Sequence, residues 1–100
     1  MDSIYVSRLP LLSLVGVYPN EKENPQPLYL DLEIKISLKQ AAESDDLGDT
    51  LDYSTLCHNL QTAAAEDHCN LIERRLNDLL EIVFWDSRVH EVTGRLYKPG

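Results

Sequence analysis

The chain has 100 residues, with nine Lys and Arg against 17 Asp and Glu and a formal net charge of −8; that is room for one small domain, residues 1–100, whose modest core would gain from burial between subunits. This acidity removes the basic face that a nucleic acid or an anionic membrane would need. The start has no basic n-region, the longest nearly apolar stretch is broken by Pro10, Ser13 and Gly16, and two cysteines, Cys57 and Cys69, are too few for a disulfide scaffold, so a cytoplasmic protein without signal peptide or membrane span is expected.

Residues 4–18 read as a first strand in which Ile4 and Val6 set one phase and Leu9 and Leu11 the other, so a bulge is expected between Arg8 and Pro10. Pro19 to Pro27 reads as a loop rich in Pro, Asn and Glu. From 28 to 38, Leu28, Leu30, Leu32, Ile34, Ile36 and Leu38 alternate with Tyr29, Asp31, Glu33, Lys35 and Ser37, the pattern of a strand with one buried and one wet face. A polar connection over 39–52, with one helical turn, leads to a helix that Asp52 would cap and that would run to about Glu66 on Leu56, Leu60, Ala63 and Ala64. A second helix carries the stripe Ile72, Leu76, Leu79, Leu80 and Val83, and Asn70 with Glu73 has the spacing of a capping box. Val89 to Tyr97 completes the order strand, strand, helix, helix, strand, which is an α+β domain with two helices on one face of an antiparallel sheet.

Taken alone, the candidate chemistry is sparse. Cys57-His58 and His68-Cys69 have the residue types of a zinc site but not its spacing, since adjacent helical residues point about 100° apart; buried thiols and surface imidazoles are expected instead. No phosphate-cradling glycine loop or dinucleotide fingerprint is present. Glu73 reads as the partner of Asn70 in the capping box, Glu21 as one of several solvated charges, Tyr53 as packing at a helix start, and Lys98 as a terminal side chain.

Four segments, in order, nonetheless resemble dihydroneopterin aldolase of folate biosynthesis. They are LVGVYPNEKENPQ at 14–26, with Glu21 five residues after Gly16; ESDDLGDTLDY at 43–53; NLIER at 70–74; and RLYKPG at 95–100. The resemblance implies a pterin-anchoring carboxylate at Glu73 with the Ile72 N–H beside it, further substrate contacts from Glu21 and Tyr53, and catalysis by Lys98 and Tyr53. It implies no metal, no cofactor and no lysine Schiff base, because the N5=C6 imine of 7,8-dihydroneopterin accepts the electron pair released when the C1'–C2' bond breaks. The products would be 6-hydroxymethyl-7,8-dihydropterin and glycolaldehyde. It also implies the tunnelling fold, in which sheets of several subunits join into a barrel, here a tetramer or octamer with sites between neighbours. Against the family pattern, the terminal fourth strand is expected to be missing, leaving Lys98 poorly held, and Gly94 stands where an apolar side chain is usual, weakening its strand. A 2'-epimerase of dihydroneopterin or its triphosphate, and an inactive structural paralogue, are the rival functions.

Overall fold

The structure, a computed structural model, describes residues 2–99, so Met1 and the Gly100 of RLYKPG lie outside the described residues. β1 (Asp2–Ser13) and β2 (Gln26–Ile36) form a long antiparallel hairpin, and β3 (Val89–Tyr97) pairs antiparallel with the other edge of β2. The central strand has the alternation expected of it: Leu28, Leu30, Leu32, Ile34 and Ile36 are buried, while Tyr29, Asp31, Glu33 and Lys35 stand half-buried on the opposite face. It ends at Ile36 rather than Leu38, because Leu38 turns the chain into a short helix, α2 (Lys39–Ser44). The Pro19–Pro27 segment is not all loop. It holds a five-residue helix, α1 (Pro19–Glu23), whose opening proline needs no intrahelical donor at that position.

β1 stops at Ser13, short of Tyr18, and contains the expected bulge. Val6 pairs with Leu32 and Leu9 with Leu30, so three steps on β1 span two on β2. The extra residue lets both phases of the strand face the core. Arg8 absorbs the turn in the left-handed region, at φ 53°, and its N–H donates to Asp31 Oδ1 at 2.7 Å. Asp31 Oδ1 also accepts from the Tyr97 hydroxyl. Around it a row of rings and guanidinium groups crosses the wet face: Arg8 over Tyr29 at 4.8 Å, Tyr29 against Tyr97 at 5.9 Å and Arg95 over Tyr97 at 4.6 Å. A second irregularity between Lys35 and Ile36 similarly brings Val89 and Val92 to the same side of β3.

The apolar face is covered by α3 (Tyr53–Ala64), which lies on β1, and α4 (Ile72–Val83), which lies on β3. Asp52 caps α3 as expected, accepting from the Thr55 N–H at 3.2 Å and its hydroxyl at 3.0 Å, and those bonds hold its carboxyl below the usual carboxylate range. The capping box proposed for α4 does not form. The helix begins one residue later, with Leu71 as N-cap and no side chain bonded to the helix start. Leu79 and Val83 are buried and Ile72, Leu76 and Leu80 half-buried, as the stripe requires. Arg75 is buried with them, unforeseen, and its Nη2 donates to the Asp67 carbonyl of the α3–α4 turn.

The place of the missing side chain at Gly94 in β3 is filled from α4. A Cβ there would lie 2.8 Å from Leu80 Cδ2 and 3.2 Å from Leu76 Cδ1, so leucines from α4 already occupy the space. Gly94→Ala should therefore lower stability by about 1–3 kcal/mol in a urea titration, through overpacking. An unchanged midpoint would mean that the leucine tips swing aside freely.

Candidate functional site

The site is built where β1 leaves the sheet. Beyond Ser13 the chain crosses to the segment before α4, and Val15 pairs with Cys69 in a parallel bridge. The Cys69 N–H donates to the Leu14 carbonyl and the Gly16 N–H to the Cys69 carbonyl, each at 3.1 Å. The Gly16 carbonyl lies 2.7 Å from His68 Nε2, which must carry the ring proton to donate to it. Gln26, the first residue of β2, donates its side-chain amide to the Val15 carbonyl. Three separate stretches of chain are thus tied together.

Gly16 has φ +139°, and a Cβ on it would fall 2.3–2.6 Å from the Glu21 carboxyl group. The missing side chain is the space that Glu21 fills as α1 doubles back. There Glu21 Oε1 accepts from the Tyr18 N–H at 3.3 Å, and Oε2 accepts from Gln26 Nε2 at 3.4 Å. Lys98 Nζ approaches Oε2 at 3.7 Å. Glu21 is largely enclosed while the lysine is more than half exposed, so the carboxylate is the sheltered partner and the ammonium the one open to solvent. Lys98 arrives there because Tyr97 pairs with Tyr29 near the start of β2, the same end of the sheet as Gln26.

The bridge to Cys69 also brings the start of α4 to this end of the sheet. Ile72 and Glu73 are its first two residues, Ile72 half-buried and Glu73 exposed. First-turn N–H groups have no intrahelical partner, so this end offers both backbone donors and a carboxylate. Tyr53 is not among these residues. It opens α3, and α3 begins beside the end of α4, where Leu51, Thr55 and Leu56 share a groove with Ile82, Val83 and Trp85. Tyr53 thus stands at the opposite end of the helix pair from Glu73, about 18 Å along a twelve-residue helix, and is 59% exposed.

Sequence reasoning missed Gln26 and His68. Gln26 offered no signal beyond its place between two prolines, and His68 was expected on the surface but is half-buried as a tie to Gly16. Both cysteines are half-buried free thiols, and burial pushes the Cys57 thiol up, away from the thiolate that a metal would need. Among the described residues no group of His, Cys, Asp or Glu gathers in a metal-binding arrangement.

A family model described as FolB, dihydroneopterin aldolase, matches residues 4–100. The dihydroneopterin aldolase of Haemophilus influenzae is 34% identical over 99 residues, covering 99% of this chain and 84% of its own length. That of Escherichia coli K12 is 28% identical over 100 residues, covering all of this chain and 82% of the relative. Among solved structures, Escherichia coli dihydroneopterin aldolase in complex with neopterin superposes with a TM-score of 0.91 over 100% of this chain and 87% of that one, at 28% identity. A putative dihydroneopterin aldolase from Vibrio cholerae gives 0.91 at 31% identity, over 100% and 85% of the two chains.

Gly16→Ala should lower stability by about 1–3 kcal/mol through strain at a positive φ and should push Glu21 away from Gln26 and Lys98. The steric part is separable. In a double-mutant cycle with Glu21→Ala the two costs should sum to more than that of the pair; additive costs would show that the two residues do not share this space.

Proposed function

The chain belongs to the dihydroneopterin aldolase family and is an aldolase of folate biosynthesis, and we propose that Glu21, Tyr53, Ile72, Glu73 and Lys98 form its site, one that two neighbouring subunits share. The observation that carries the assignment is the meeting of Glu21 and Lys98 at 3.7 Å, at the end of the sheet where α4 also begins. These residues lie far apart in the sequence, and nothing in the packing of the core requires an ion pair there.

Recognition of the pterin rests on the start of α4. With Leu71 as N-cap and no side chain bonded to the helix start, Glu73 has no capping duty and its carboxylate is free to accept from the 2-amino and N3 hydrogens of the ring. The Ile72 N–H then faces the ring carbonyl. Two charge-assisted bonds and one neutral bond match a guanidine-like edge in both direction and charge. The complex of the Escherichia coli neighbour with neopterin supports a pterin as the ligand class.

The chemistry needs a proton taken from the 2'-hydroxyl and one delivered to C1'. Lys98 and Glu21 hold a water against the 2'-hydroxyl, and the proton leaves through it. The C1'–C2' bond breaks, the new C=O of glycolaldehyde forms, and the electron pair passes through C6 to N5 of the ring imine. Tyr53 then protonates C1', and 6-hydroxymethyl-7,8-dihydropterin results. The substrate itself is the electron sink.

Tyr53 supplies that proton from the neighbouring subunit, since within one chain it stands at the far end of the helix pair. Assembly has physical support. Among the described residues β1 and β3 are both sheet edges, and the radius of gyration is 14.8 Å, against about 13 Å for a compact domain of this length. Joining the β1 edge of one copy to the β3 edge of the next repeats head to tail and closes into a ring, with Asp31, Glu33 and Lys35 toward the tunnel. A tetramer or octamer is expected. No helix among the described residues is long and apolar enough to cross a membrane, and we assign the assembly to the cytoplasm, where the two free thiols would remain reduced.

Turnover of 7,8-dihydroneopterin, followed by release of glycolaldehyde, tests the reading; formation of the C2' epimer alone would point to the sister reaction. Lys98→Ala should spare pterin binding and lower turnover by about 10²- to 10⁴-fold. Glu73→Gln should weaken product binding by about 2–4 kcal/mol and leave the melting temperature near that of the parent. If this variant binds product like the parent, Glu73 is not the anchor. Light scattering should report a tetramer or octamer at micromolar concentration, and an active monomer would refute the shared site.

A further inference from the structure

We infer that Arg88 is a positioning residue that sets Tyr53 for the neighbouring subunit's site, an inference that rests on the shared-site reading above. Arg88 lies in the turn between α4 and β3 and is fixed first by Asp86. The Arg88 N–H donates to Asp86 Oδ1 at 2.9 Å, its Nε donates to the same oxygen at 3.0 Å, and Nη2 donates to Oδ2 at 2.8 Å. The guanidinium is thereby held as a fork, with one arm left over. That arm, Nη1, donates to the Gly48 carbonyl at 2.7 Å, in the tight turn Leu47–Asp49.

From Gly48 the constraint runs without a gap to Tyr53. The Asp46 carboxylate accepts from the Gly48 N–H at 2.9 Å, and the Thr50 N–H closes the turn on the Leu47 carbonyl at 3.2 Å. Asp49 is held from the α2 side by Gln40 at 3.0 Å and Ser44 at 2.6 Å. Leu51 is then buried at 6% exposure, Asp52 caps α3, and Tyr53 follows. Leu51 ties this segment to the core and the bonds to Asp49 tie it to α2, which is its own neighbour in the chain. The Arg88 bond to Gly48 ties it instead to the turn between α4 and β3, a separate element, and so sets the direction in which the segment enters α3.

The side-chain type matters here. A lysine carries its charge at a single nitrogen and cannot grip both oxygens of Asp86 while presenting a third donor at a fixed angle. Arg88→Lys therefore keeps the charge and removes the clamp. A displacement of about 1 Å at a proton donor lowers turnover by up to about a hundredfold, so this variant should lose about ten- to a hundredfold in kcat. Affinity for the pterin product should fall far less than kcat, because Glu73 and Ile72, which hold the ring edge in the proposed site, lie at the other end of the helix pair from Tyr53. Asp86→Asn, which also loosens the fork, should behave alike.

The decisive test uses differently tagged full-length chains, co-expressed and purified through both tags so that every assembly is mixed. Tyr53→Phe with Lys98→Ala is the control, since about a quarter of the interfaces in a randomly mixed head-to-tail ring join the two intact halves. Arg88→Lys should behave as a defect on the Tyr53 side. Mixed with Lys98→Ala it should recover about a quarter of parental activity, because intact Tyr53 then meets intact Lys98. Mixed with Tyr53→Phe it should recover nothing beyond its own residual rate. A loss confined to folding would not be asymmetric in this way. Parental kcat for Arg88→Lys alone, or equal behaviour with both partners, overturns the role of Arg88. Failure of the control pair to recover overturns the shared site itself, and the clamp's action across the interface with it.

Discussion

Gly16 is the residue on which the site hangs. It lies where β1 leaves the sheet, its φ is +139°, and the volume that a side chain would take is filled by the Glu21 carboxyl group. Around it the Val15 carbonyl, the Gly16 N–H and the Gly16 carbonyl are taken up by Gln26, Cys69 and His68. A satisfied hydrogen bond contributes only about 1 kcal/mol, whereas a buried group left without a partner costs about 1–3 kcal/mol. Such a junction forms as a unit. It joins the end of β1, the start of β2 and the approach to α4, and those are the parts from which Glu21 and the Ile72–Glu73 helix start are presented.

The two faces of the sheet divide the labour. The apolar face gives this small domain its one continuous core, covered by α3 and α4. The wet face is not loose polar surface, because stacking of Arg8, Tyr29, Tyr97 and Arg95 and the two bonds to Asp31 cross all three strands. Each such contact is worth about 0.5–1 kcal/mol at an exposed position. Together they stiffen the sheet at the level of Tyr97, one residue before Lys98. The lysine therefore reaches into solvent from a braced base.

Much of the fold was legible in the sequence. The alternation from Leu28 to Ile36, the phase change across Arg8, the Asp52 cap and the span of β3 all follow from periodicity and cap chemistry, which are local. What was not legible involved contacts between distant segments. The leucines that fill the place beside Gly94 come from α4 and leave no trace near it in the sequence, and the start of α4 looked capped because Asn70 and Glu73 have the right spacing. In the structure the bridge between Val15 and Cys69 fixes the chain before the helix, and Leu71 becomes the N-cap. Of the residues that family resemblance implies, Glu21, Ile72, Glu73 and Lys98 lie at one end of the sheet. Tyr53 does not join them within the chain. Gln26 and His68 were not found at all, since a side chain that ties two backbone segments leaves no periodic trace.

The order of pairing in the sheet also sets an order in time. The β1–β2 hairpin is local and can zip as soon as β2 is synthesised, but β2 waits for its second partner until Val89 to Tyr97 follows the helix pair. Until then one edge of an apolar strand stands open, and pairings of long sequence separation are slow to close. Lys98 directly follows that last strand. The ion pair with Glu21 is thus completed only when the sheet is, so a nascent or partly unfolded chain presents the carboxylate without the ammonium, and in the proposed site competence for catalysis arrives with the last strand.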